Sequence, residues 1–372
     1  MPLRVKLLDM KTIRKISMFV VATIVLLEVA LRVVAIFPND SATFANDENI
    51  GIRMRPNLPV GNGNSTNSLG FNDIERSLDR TLKGRRLAII GDSFVFGVVP
   101  RDDNFTQIMQ KKFRLGNNDT EVINMGIPAA GPVNYLGLLK NDAVRLKADT
   151  IYVMFFIGND IVQSHPDFTT KIHFGSAREV LARPHLVGWD KEYSYVYRTA
   201  RAGARLIYER YLAEKEAGAT FSRSTYFSIE RQRAIVFEKD MSRYVEESYI
   251  ESIRFLSELS ETAILQGMDF QAVLAPDEIQ VDRPLRAAVS SAYHMEQDKY
   301  DFRQPQRIIS KQLSEKGIPF IDLLPAFEEA GKTTALYAKY DSHWNEAGNK
   351  LAADLITNVE MNKRKKKESK IE

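Results

Sequence analysis

Apolar residues recur along this chain in three patterns. The first is a nearly unbroken run from Ile16 to Phe37, 22 residues interrupted only by Ser17, Thr23, Glu28 and Arg32. A helix of that length reaches about 33 Å, enough for the hydrocarbon core of a bilayer. The second is a set of short apolar runs bounded by turn residues: Arg86–Ile90, Glu121–Asn124, Thr150–Ile157, Phe270–Ala275 and Pro319–Asp322. Runs this short, apolar at consecutive positions, predict parallel strands buried on both faces. The third is helical periodicity in the intervening segments, as at Phe105–Phe113 and Ile250–Leu265. Strands alternating with helices predict an α/β fold: a doubly wound, flavodoxin-like parallel sheet of about five strands with helices on both faces.

Three stretches stand outside this alternation. Residues 38–85 are rich in Asn, Gly, Pro and Ser, above all from Pro56 to Ser68, and read as an extended lead-in. Residues from about 163 to 245 are charged, rich in Arg, Glu and Tyr, and mostly helical in character. They form an insertion after the third strand, which either covers the site or extends the core. The last residues, 359–372, include the basic run Lys363–Lys367 and are expected to be a disordered, solvated tail. The chain therefore divides into a basic segment (1–15), a membrane anchor (16–37), the lead-in (38–85), a catalytic domain (86–358) and the tail. No internal repeat is apparent.

Charge sharpens the reading of the first run. Arg4, Lys6, Lys11, Arg14 and Lys15 precede it, and Asp40, Asp47 and Glu48 follow. That asymmetry predicts a single-pass membrane protein with a cytoplasmic N-terminus and an extracytoplasmic domain. Glu28 and Arg32 stand four apart and can pair on one helix face. Two competing readings are a signal peptide cleaved after Val33-Val34-Ala35 and a buried amphipathic helix of a soluble protein. The net charge of the whole chain is only +3, with the excess at the two ends, so no basic surface for nucleic acid is implied. There is no cysteine, which excludes disulfides, thiolate metal sites and cysteine nucleophiles.

The candidate chemistry lies at strand ends, where open parallel sheets gather their functional groups. Ser93 follows the first strand directly, in Gly91-Asp92-Ser93. A serine nucleophile needs a base and an orienting acid, and both occur far downstream in Tyr340-Asp341-Ser342-His343-Trp344-Asn345. There Asp341 can hold the His343 imidazole, and Asn345 can cap a helix from Glu346 to Ile356. Asn159, after the third strand, can offer a side-chain N–H to an oxyanion, while Gly158 permits a tight turn. Gly126, after the second strand, can offer a bare backbone N–H. His165, His173, His185 and His294 lack any paired spacing and are read as structural or surface residues. No zinc motif, P-loop or dinucleotide fingerprint follows any strand, so no metal or cofactor is expected. The Gly-x-Ser-x-Gly elbow is absent too.

These segments resemble the four blocks of the SGNH hydrolases, also called the GDSL family, over about residues 86–358. Ser93 matches the block I serine, Gly126 the block II glycine, Asn159 the block III asparagine and His343 the block V histidine. The segment Asn67–Asp73 is similar to that of members with an N-terminal anchor. Two departures occur: Phe94 stands where leucine is usual, and Asp341 lies two rather than three positions before the histidine. The Asp-x-His-Trp form resembles that of the alginate O-acetyltransferase branch, although the motifs there come in another chain order. The resemblance implies a serine esterase or O-acyltransferase, with Ser93, His343 and Asp341 as the catalytic residues. The oxyanion hole would come from the Ser93 N–H, Gly126 and Asn159. It implies an acylated small molecule or glycan as substrate and envelope polysaccharide machinery as partner. A catalytically silent binding or scaffold module of such machinery is the alternative.

Overall fold

The computed structural model describes residues 9–36, 43–61, 64–79, 84–116, 119–167 and 213–369, with a few positions between 196 and 211. Its first element is helix α1 (Met10–Ile36), which takes in most of the run expected to be an anchor. Its apolar side chains stand in the open: Phe19 is 74% exposed and Leu26 70%. Among the described residues, however, no helix is long and apolar enough to cross a membrane.

The lead-in carries more structure than its composition suggests. Strands β1 (Phe44–Asp47) and β2 (Gly51–Met54) form one antiparallel pair, β3 (Pro59–Gly61) and β4 (Asn64–Ser65) another. Ile50, Ile52, Met54 and Phe71 are buried against the main core. The expectation of an extended lead-in with little periodic structure is corrected to that extent.

The first two central strands are β5 (Arg86–Gly91) and β6 (Glu121–Gly126), joined through α2 (Ser93–Phe96) and α3 (Phe105–Leu115). Helix α4 (Pro132–Leu138) leads to β7 (Thr150–Phe156), followed by α5 (Asp160–Gln163), α6 (Arg223–Arg233) and α7 (Arg243–Leu265). After β8 (Asp269–Ala275) come α8 (Glu278–Val281), α9 (Arg283–Ala292) and α10 (Gln304–Glu315). The last elements are β9 (Phe320–Asp322), α11 (Leu324–Ala330) and α12 (Glu346–Glu368). The five strands are all parallel, in the order β6-β5-β7-β8-β9. This is the flavodoxin-like order, and its direction switches between β5 and β7.

Why consecutive apolar residues were needed is visible in β7. Ile151, Val153 and Phe155 enter the core on one face, and Tyr152, Met154 and Phe156 the core on the other. The first face is covered by residues of α4, α7 and α10, the second by residues of α3, α11 and α12. The edge strand β6 is sealed by the lead-in: Asp73 accepts the Asn124 N–H at 3.1 Å, and Arg76 donates to the Val122 carbonyl at 2.7 Å. Unpaired edge groups are thereby removed from competition with other chains.

The basic tail is a second correction. Residues 359–368 continue α12 instead of fraying. Glu360 is buried and accepts the Tyr152 hydroxyl at 2.7 Å. Arg364 pairs with Glu360 at 3.1 Å and bonds Thr120 Oγ1 at 2.7 Å. The positive charges are thus partly spent on buried partners rather than on solvent.

Candidate active site

The serine turn is built first by local capping. Asp92 Oδ1 accepts the Phe94 N–H at 2.9 Å, which opens α2 with the half-buried Ser93 as its first residue. The far end of this four-residue helix is pinned by three side-chain amides from elsewhere. Asn124 and Asn104 donate to the Val95 carbonyl at 2.6 and 3.1 Å, and Asn72 donates to the Phe96 carbonyl at 2.8 Å. Gly126 lies under the same turn, where an added Cβ would come 2.1 Å from the Phe96 nitrogen. Its N–H donates to Asn124 Oδ1 at 3.0 Å. The expectation that Gly126 supplies a bare oxyanion donor is therefore corrected. The Asn124 side chain reaches forward two residues to take that N–H, and the glycine serves close packing instead.

The second arm comes from the loop before α12. His343 Nδ1 lies 2.5 Å from Asp341 Oδ1, and the His343 backbone N–H reaches the same oxygen at 3.1 Å. The two-residue spacing thus suffices to hold the ring. Burial opposes the charge on Asp341, but the hydrogen bond and charge of His343, with a further bond from the Thr220 hydroxyl, hold its carboxyl below the usual value. Trp344 anchors the loop in the core against Phe94, Phe105 and Phe327, with centroids 5.1, 6.0 and 5.1 Å away. The His343 ring stands 5.2 Å from that of Phe94, the neighbour of Ser93. The serine and histidine arms are therefore brought together, yet among the described residues no hydrogen bond joins the His343 ring to the Ser93 hydroxyl.

Asn159 follows β7 and meets Asp92 across the switch point. Its Nδ2 donates to Asp92 Oδ2 and Gln163 Oε1, both at 3.1 Å. Gly158 lies in the tight turn expected of it and has a further purpose. A Cβ there would fall 2.1 Å from Asp277 Oδ2, so the glycine leaves room for the residue after β8. Two acids floor the site. Burial pushes the Asp92 carboxyl up, against the Phe94 N–H and the Asn159 amide. Asp160 accepts from the Tyr135 hydroxyl at 2.9 Å and from the Phe156 N–H at 2.8 Å, and burial, then the charge of Asp92, pushes it well up.

The insertion settles onto the histidine loop. Its Thr220 and Phe221 N–H groups donate to the Lys339 and Tyr340 carbonyls at 3.2 and 3.3 Å. Glu216 pairs with Lys339 and accepts the Tyr340 hydroxyl, both at 2.9 Å. These contacts hold Tyr340 at φ 46°, a left-handed conformation uncommon for a bulky residue. Arg233, from α6, bonds the Ser342 hydroxyl. None of the insertion residues Glu216, Thr220, Phe221 and Arg233 carries a periodic or motif signal in the sequence. Of the other histidines, His165 is buried beside Tyr244 and Glu247, and His294 is exposed. His173 and His185 lie outside the described residues. Among the described residues, no group of three or more His, Asp or Glu side chains could hold a metal ion.

Residues 251–371, about a third of the chain, match the family described as SGNH hydrolase-like domain, acetyltransferase AlgX. The match includes Asp341 and His343, and Ser93 and Asn159 stand at the ends of neighbouring parallel strands, β5 and β7. Over that third the chain is similar to an SGNH hydrolase-like domain. No curated protein matches it in sequence. Among solved structures, this chain is similar to the acetyl xylan esterase AlAXEase, at 14% identity and a TM-score of 0.41, over 74% of this chain and 98% of that one. It is also similar to Axe2, an acetylxylan esterase from Geobacillus stearothermophilus, at 15% identity and a TM-score of 0.40, over 74% and 93%. Overlaps this loose say nothing about activity.

Proposed function

We propose that the chain is a serine-dependent acyl-ester hydrolase or O-acyltransferase acting on an acylated envelope or extracellular carbohydrate. The observation that carries this reading is the Asp341–His343 pair at 2.5 Å, presented beside the turn that bears Ser93. In the reaction, Ser93 Oγ attacks the ester carbonyl while His343 Nε2 takes its proton. Asp341 fixes the ring through Nδ1 and stabilises the imidazolium that forms. The Ser93 N–H and the Asn159 amide, released from Asp92, receive the oxyanion. His343 then protonates the departing alcohol, leaving an acyl-serine. Water or a sugar hydroxyl, deprotonated by His343, takes the acyl group and restores the serine. Closing the gap between Ser93 and His343 needs a side-chain movement on substrate binding, as catalytic hydrogen bonds commonly tighten only in complexes.

Support for a carbohydrate substrate comes from the family matched by residues 251–371. We further propose that residues 16–37 are a membrane segment, because basic residues precede this apolar run and acidic ones follow it, which would place the domain outside the cytoplasm.

A second reading, a catalytically silent module of polysaccharide machinery, is favoured by the engagement of the Gly126 N–H and the Asn159 amide. One experiment separates the two. The full chain is incubated with an acyl donor and either water or a glycan acceptor, and the products are identified. Turnover lost in Ser93→Ala supports the enzyme; identical products from wild type and Ser93→Ala support the silent module.

A further inference from the structure

We propose that Arg233 is a positioning residue for His343: it holds the hydroxyl of Ser342, between Asp341 and His343, while Glu230 and Asp277 hold its guanidinium from behind. The inference rests on the serine-enzyme reading and adds a residue from the insertion to it.

The geometry is a three-way junction. Arg233 Nη1 bonds Ser342 Oγ on the histidine loop. The same nitrogen lies 3.3 Å from Glu230 Oε1 on its own helix and 3.6 Å from Asp277 Oδ2 after β8. The guanidinium carbon sits 5.2 Å from the centre of the Phe156 ring, which in turn lies 3.9 Å from the Phe94 ring beside Ser93. Arg233 therefore touches the histidine loop, the end of β7 and the start of α8 at once.

The two acids cannot move far. Both are fully buried. Asp277 caps α8, accepting the Ile279 N–H at 3.2 Å, and Gly158 is bare of a side chain where Asp277 Oδ2 passes. Among the described residues, buried Glu230 Oε2 and Asp277 Oδ2 have no hydrogen-bond donor. Burial, then the charge of Asp277, pushes the Glu230 carboxyl well up. A buried cluster of this kind adds little net stability compared with apolar side chains of the same volume. Fixing the loop that carries the base is what the cluster accomplishes. Misplacing a catalytic group by about 1 Å costs on the order of 100-fold in rate.

The test removes the hydroxyl and leaves the acids and the base untouched. In the full chain, Ser342→Ala is expected to lower kcat on p-nitrophenyl acetate about 10- to 100-fold with KM little changed. Labelling of Ser93 by a fluorophosphonate should slow by the same factor. Ser342→Thr, which keeps the hydroxyl, should recover most of the rate. Arg233→Lys should fall between, and adding it to Ser342→Ala should cost little more, since both break one contact. Thermal midpoints on the same samples separate a slower enzyme from an unfolded one. Wild-type kinetics in Ser342→Ala, a loss explained by unfolding, or losses that multiply in the double variant would each overturn the positioning role alone. A wild-type chain that takes no fluorophosphonate would overturn the serine-enzyme reading, and this inference with it.

Discussion

Asp341 is where a single side chain decides most. It accepts two hydrogen bonds from His343, one from the ring and one from the backbone. Asp341→Asn keeps the shape but turns the wrong group toward the imidazole, and kcat is expected to fall about 10⁴-fold with the fold intact. The lowered carboxyl also contributes to stability, and the direction with pH follows from its sign. A depressed folded value means the contribution is complete above the ordinary 3.8 and is lost as pH falls through the lowered value. The gap in thermal midpoint between wild type and Asp341→Asn should hold from pH 7 to about 4 and close below it. A gap that closes near neutrality would show that Asp341 is not the partner. Asn159 presents a double case, because both its amide hydrogens are already engaged. Asn159→Ala should cost about 100-fold or more in kcat. It should also lower the thermal midpoint, since buried Asp92 loses a donor. Full kcat in a folded variant would remove Asn159 from the oxyanion site.

Among the elements, α12 departs furthest from what its composition suggests. Five consecutive basic residues, Lys363–Lys367, read as a tail, yet the helix carries Glu360 to Tyr152 and Arg364 to Thr120. A chain ending at residue 358 strands the buried Tyr152 hydroxyl and uncovers part of the core. Its stability to chemical denaturation should drop by about 3 kcal/mol or more, whereas a chain ending after Glu368 should match the whole. Equal denaturation midpoints for both truncations would return these residues to the status of a tail. The insertion teaches the same lesson: residues 216–221, Glu-Ala-Gly-Ala-Thr-Phe, show no periodicity, and their worth lies in gripping Lys339 and Tyr340.

For the whole molecule the open matter is where it resides. Residues 16–37 form the longest apolar run in the chain, and the described part of α1 leaves its apolar side chains uncovered. Retention by membranes through alkaline carbonate extraction, with a mature N-terminus before residue 16, is the outcome expected of an anchor. Release into the soluble fraction with a start near Ile36 would identify a cleaved signal instead.

Sequence alone determined the sheet, because strands buried on both faces must be apolar at every position and helices between them must show their period. It also placed Ser93 and Asn159 after strands and His343 just before the last helix, since short motifs at element ends keep their local grammar. The two-residue spacing of Asp341 already put it within reach of His343. Tertiary structure alone decided the rest. Asn72, Asn104 and Asn124 converge on one short helix from three distant segments. Arg233 meets Ser342 and Asp277 only once α6, β8 and the last loop are folded together. Gly126 and Gly158 take their meaning from what passes beside them. Polar contacts over such separations leave no periodicity, because one hydrogen bond needs only one residue at each end.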